Sequence, residues 1–153
     1  MAEYESLLEE SIEVDAPPAK VWSLVTNLPR MSKWSPQVLR TMVRGGPIRL
    51  GTRALNINHR GPLVWPTRTK VVAFEPHREF AFRVKENRTI WSFTLEPTEN
   101  GTRVIQRRSA PDGISDASIR LTRIALGGQK NFTRELRAGM RQTLARVKAE
   151  SEA

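Results

Sequence analysis

Hydrophobic and polar positions change their period twice along the chain, and those changes divide it into three parts. Residues 6–14 close in strict alternation, Ile12 and Val14 on one side and Ser11 and Glu13 on the other, the pattern of a half-buried strand. Asp15-Ala16-Pro17-Pro18 interrupts it. Asp15 is a candidate helix cap, and the prolines suit a first helical turn. Val21, Trp22, Leu24, Val25 and Leu28 then recur at helical spacing up to Pro29, and a second short helix is expected over Met31 to Trp34, ahead of Pro36.

From residue 37 to 109 the period shortens to two. Six strands are expected: Val38–Arg44, Thr52–His59, Leu63–Phe74, Arg78–Lys85, Thr89–Glu96 and Thr102–Ser109. Gly45-Gly46-Pro47, Gly61-Pro62, Glu75-Pro76-His77, Glu86-Asn87 and Asn100-Gly101 separate them as turns. After Gly127-Gly128 the helical period returns. Phe132, Leu136, Met140, Leu144 and Val147 form one apolar stripe on a long helix over 129–149.

Strand, two short helices, six strands, long helix: this order predicts an α+β fold in a single domain over 1–153. Strands that follow one another without intervening helices form an antiparallel meander. A curved seven-stranded antiparallel sheet would wrap around the long C-terminal helix, with the two short helices between its first and second strands. A helix of about twenty residues runs roughly 30 Å, enough to cross such a sheet. It is not bulky enough to fill the whole concavity, so a cavity between sheet and helix is expected.

Strand alternation proposes its lining. Phe80 and Phe82 share a face, as do Trp91 and Phe93. Leu55 and Ile57 are taken as inward, which carries His59 inward with them; Trp65, Thr67 and Thr69 are inward on the next strand. Gln106 and Arg108 are preferred on the last strand because the opposite parity would bury both Arg103 and Arg107. Phe132, Leu136 and Met140 face them from the helix. Trp91 and Phe93 serve either as plain core or as a ligand platform, and Trp34 either anchors the short helices or stands at the entrance. His59 either bonds a neighbour or acts as a base, whereas His77 reads as a turn residue. Arg108 either meets an acidic group inside the cavity or extends its head to water.

Composition narrows the chemistry. With no cysteine, disulfides, thiolate metal sites and a cysteine nucleophile are excluded, and two histidines leave little for a metal centre; no metal and no cofactor are expected. No run of 18 apolar residues exists, and the first ten residues are acidic where a secretory signal would be basic, so a cytoplasmic protein is expected. The formal charge is +9, and the stretch between Asp15 and Glu75 contains ten lysines and arginines and no acid. Such a surface attracts polyanions and anionic lipids. No basic run of five and no zinc-finger or RNA-recognition pattern accompanies it, so nucleic acid is the less favoured partner and peripheral contact with an anionic membrane stays open.

Ile12-Glu-Val-Asp-Ala-Pro-Pro-Ala-Lys-Val-Trp22, Thr26-Asn-Leu-Pro-Arg-Met-Ser-Lys-Trp34-Ser-Pro36, Trp91-Ser-Phe-Thr-Leu-Glu-Pro97 with Gly101-Thr-Arg-Val104, and the final helix with Gly139-Met140 and Leu144 are together similar to one superfamily. The chain resembles the START-like (SRPBCC, Bet v 1-like) proteins and, among them, the polyketide cyclase/dehydrase-like branch. The resemblance implies the helix-grip fold and a cavity. It implies no mechanism, because carriers, cyclases, hydrolase-like members and chaperone activators share the fold.

Three functions follow as expectations. The first is binding or transport of a hydrophobic small molecule, lipid or polyketide-like, with or without an acidic group. The second is a cofactor-free cyclase or dehydratase in which His59 is the general base and Arg108 stabilises an enolate. The third is a basic module for nucleic acid or anionic membrane. Monomer and homodimer are both compatible with the sequence, and the apolar 110–126 segment suits either a lid or a dimer contact.

Overall fold

The computed structural model describes residues 7–111 and 129–153. Strand β1 (Leu7–Val14) leads into helix α1 (Pro18–Val25), a 3-10 turn (Leu28–Arg30) and helix α2 (Met31–Trp34). Six strands follow: β2 (Val38–Arg44), β3 (Arg53–Arg60), β4 (Leu63–Glu75), β5 (Glu79–Val84), β6 (Ile90–Pro97) and β7 (Thr102–Ser109). The long helix α3 (Gln129–Glu152) comes last. The expected boundaries are met to within a few residues. The 110–126 segment, save its first two residues, lies outside the described residues.

All seven strands form one antiparallel sheet in the order β1-β7-β6-β5-β4-β3-β2. Each strand from β2 to β6 pairs with its successor, and β1 closes the far edge on β7, with Val14 opposite Thr102 and Leu8 opposite Arg108. Helix α3 packs along β1 and β7 and against α1 and α2. This is the helix-grip arrangement.

Asp15 does not cap α1. Pro17 occupies the cap position without a side-chain hydrogen bond, and the Asp15 backbone N–H donates to Glu152 at the end of α3 (2.7 Å). The prolines explain it: neither has an N–H, so the first turn has fewer donors that need a cap.

The β3–β4 hairpin fixes which side chains face inward. Arg60 pairs with Leu63 across the two-residue Gly61-Pro62 turn, Gly61 holding a left-handed φ of 58°, and this register sets Asn56 opposite Thr67 and Leu55 opposite Arg68. Ala54, Asn56 and Asn58 therefore face the helix side, and the expected parity of β3 is corrected. Leu55 is exposed on the convex face, and Ile57 and His59 lie on that face with it. A register set by a tight turn overrides the preference to bury the more apolar set.

One end of the interior is densely packed. Trp22 meets Phe74 edge-on at 5.2 Å and Phe80 at 6.2 Å, and Phe80 contacts Phe82 at 6.1 Å. Val14, Val21, Val25, Leu95, Val104, Leu144 and Val147 complete this core. Phe74 joins it because a bulge between Val71 and Ala73 reverses the alternation of β4. At the β6–β7 turn, a Cβ on Gly101 would lie 2.1 Å from the Val14 carbonyl oxygen, so only glycine lets the turn approach β1.

Candidate functional site

Beyond that core, sheet and helix separate around a cavity of about 470 Å³, within the range of small-molecule sites. The apolar stripe of α3 spans both regions. Leu144 and Val147 are sealed in the core, while Phe132, Leu136 and Met140, nearer the helix start, form the cavity's helical wall. Gly139 and Thr143 lie on the same wall, Gly139 beneath Pro36 and Thr143 donating to the Trp34 carbonyl (3.4 Å).

Trp34 both anchors and lines. Its indole Nε1–H donates to Glu150 at 2.9 Å, Glu150 also pairs with Arg30, and the buried ring faces the cavity. From the sheet come Phe82, Val84, Trp91 and Phe93, all at positions whose inward direction follows from alternation. Trp65 is half-buried at the rim, with Pro66 exposed beside it.

Two groups of polar side chains from the sheet interrupt this apolar lining. Across β2, β3 and β4, Thr41 donates to Asn56 Oδ1 (2.9 Å), the Asn56 amide reaches Thr67 and Thr69 (3.5 Å each), and the Asn58 amide donates to Thr67 (2.9 Å). Buried polar groups require such partners. On β7, Gln106 and Arg108 line the cavity at 6% and 2% exposure. The buried Gln106 carbonyl oxygen accepts no hydrogen bond from any described residue.

Two charged pairs lie at or near the rim. Glu86 borders the cavity; burial disfavours its ionisation, but the backbone N–H and guanidinium of Arg68, each at 2.7 Å, outweigh this and hold its carboxyl below the usual range. Glu135 receives two hydrogen bonds from Arg60 (2.7 and 2.8 Å), which lower its pKa and raise that of Arg60, and tie the β3–β4 hairpin to α3.

The structure thus brings together Trp34, Trp65, Thr67, Phe82, Trp91, Phe93, Gln106, Arg108, Phe132, Leu136 and Met140 on one cavity. Four expected residues are absent from its lining: Leu55, Ile57 and His59 by the parity of β3, and Phe80 because Trp22 and Phe74 enclose it. His59 is therefore not positioned with Arg108. Thr69, expected inward, lines the cavity too, whereas Asn56 and Asn58 were not among the expected residues, although the Gly61-Pro62 turn carries the register that reveals them. Among the described residues no cluster of three metal-ligating side chains occurs, and no helix is long and apolar enough to cross a membrane.

Comparison with known proteins places this architecture. Residues 7–152 match the family model described as polyketide cyclase / dehydrase and lipid transport. The chain belongs to this family. Similar solved structures include the di-domain ARO/CYC StfQ from the steffimycin biosynthetic pathway (TM-score 0.77, 16% identity, 96% of this chain and 50% of that one). They also include the KanY protein (TM-score 0.72, 15% identity, all of both chains) and protein MLL2253 from Mesorhizobium loti (TM-score 0.66, 17% identity, 94% of each). The chain spans half the length of the di-domain protein. At these identities the likeness is one of fold. No curated protein matches the chain at a significant level.

Proposed function

We propose that this family member binds a hydrophobic small molecule in the cavity between sheet and α3, with the ligand's polar end at Gln106 and Arg108. The observation that carries the reading is the cavity of about 470 Å³, lined by aromatic and aliphatic side chains from both sheet and helix, with Gln106 and Arg108 as polar groups on β7 and the Asn56 and Asn58 cluster on β3. Apolar ligand surface would be stabilised by about 25 cal/mol for each Å² removed from water. Arg108 suits a carboxylate or phenolate through the paired geometry of a guanidinium, and the Gln106 carbonyl offers an acceptor for a ligand hydroxyl. A bound lipid or polyketide-like molecule with an oxygenated end fits both.

Native mass spectrometry of protein purified from its own host tests this directly. One retained small molecule per chain is expected, released on denaturation; a host-derived protein with no adduct, and none acquired from host lipid extract, argues against the reading.

A cyclase or dehydratase activity is the second reading, favoured by the family's own description. It keeps Arg108 for a developing oxyanion but loses His59 as base. Under both readings His59→Ala leaves ligand affinity within about twofold. Arg108→Met weakens the affinity for an acidic ligand by tenfold or more under the first, and removes turnover under the second.

A further inference from the structure

The convex face of the sheet has two halves in which charged residues are aligned differently. On β1, β7 and β6 each cation has a carboxylate across from it. Arg103 lies between Glu13 and Glu96 in register, 3.7 Å from Glu13, and Arg107 bonds Glu9 at 2.6 Å. On β2 to β5 the register instead aligns Arg44 with Arg53, Arg53 with Lys70, and Lys70 with Arg83. Four cations thus run straight across four neighbouring strands, about 4.8 Å from one strand to the next. Like charges placed directly opposite destabilise a sheet, and β2, β3 and β4 supply no acid before Glu75.

We propose that this cationic row docks the protein on an anionic membrane surface. Exposed aliphatic side chains flank it on the same face: Leu55 on one side and Val72 on the other, 37% and 41% exposed, with Leu50 (63%) in the loop between β2 and β3. Cations interleaved with aliphatic groups match the boundary between lipid headgroups and acyl chains. The row and these flanking positions carry no aromatic side chain on which a base could stack, which weighs against single-stranded nucleic acid. A second copy of the row would meet the first with like charge. The proposal does not rest on the cavity reading, since none of the four cations lines the cavity.

The test is cosedimentation of the full chain with phosphatidylcholine vesicles, with and without phosphatidylglycerol, at low and physiological ionic strength. The wild type should bind only the anionic vesicles, and less as salt rises. Arg53→Thr with Lys70→Thr should weaken binding about fivefold per cation removed. Arg103→Thr with Arg107→Thr, the same change in net charge on the compensated half, should leave binding within twofold. The first pair should also melt at or above the wild-type temperature, because repulsion is relieved, and should keep cavity-ligand affinity. Equal losses from both pairs, no binding to anionic vesicles at low salt, a lower melting temperature for the first pair, or preferential capture by duplex DNA at matched phosphate would overturn the proposal.

Discussion

The two ends of the interior are built on one helical stripe and one sheet, yet one is solid and the other hollow. At the solid end Leu144 and Val147 face Trp22, Phe74 and Phe80, whose rings fill the space edge to face. At the hollow end Phe132, Leu136 and Met140 face a sheet whose β3 and β4 present Asn56, Asn58, Thr67 and Thr69. These are shorter side chains, tied to one another by hydrogen bonds. The helix does not decide where the cavity lies. The size and mutual satisfaction of the residues opposite it do.

Truncation separates the two ends most strongly. Phe80→Ala should lower the unfolding free energy by about 3–5 kcal/mol, the usual cost of emptying an aromatic core site. Leu136→Ala, half-buried beside an existing void, should cost about 1 kcal/mol and weaken ligand binding instead. Chemical denaturation read by tryptophan fluorescence measures both, and equal costs would erase the distinction.

Glycine substitutions sharpen it. Gly101→Ala forces a methyl into the Val14 carbonyl, and a loss of about 1–3 kcal/mol is expected as the turn shifts. Gly139→Ala places its methyl 3.4 Å from Pro36, near ordinary contact, and should gain about 0.5–1 kcal/mol through helix propensity with binding retained. A destabilised Gly139→Ala would mean that α3 is packed more tightly there than the cavity implies.

The smallest effect concerns the rim. The depressed carboxyl of Glu135 makes its pair with Arg60 stabilising above the ordinary carboxylate range, near pH 4.3, and that contribution disappears as pH falls through and below it. The pair is half-exposed and screened by solvent, so its contribution is small. The melting temperature of Glu135→Gln should lie slightly below wild type at pH 7 and converge on it once acid protonates the Glu135 carboxyl. Parallel curves across that window would show that the ion pair contributes nothing.

The fold was legible because period and punctuation change together: alternation between turn residues, mostly Gly, Pro and Asn, marked the strands, and the four-residue steps from Phe132 marked α3. Inward parity on β5, β6 and β7 was legible as well, since Phe82, Trp91 and Gln106 each follow from burying the apolar set or sparing two arginines. On β3 the same rule failed. Choosing Leu55 and Thr67 as inward contradicts a two-residue turn, which pairs Leu55 with Arg68. Polarity was weighed strand by strand, whereas the hairpin couples the two strands. The bulge at Val72, which sends Phe74 inward, left no mark in the residue types, and neither did the depth of the void, which depends on side chains separated by tens of residues.

Titration with an apolar, acidic fluorescent probe such as anilinonaphthalene sulfonate tests the hollow end most directly, comparing wild type with Gly139→Phe at matched folded fraction. A buried vacancy predicts saturable uptake of one probe per chain in the wild type, with quenching of tryptophan emission, and none once the phenylalanine occupies the space. Undiminished uptake by Gly139→Phe, or no saturable uptake by the wild type, would contradict it.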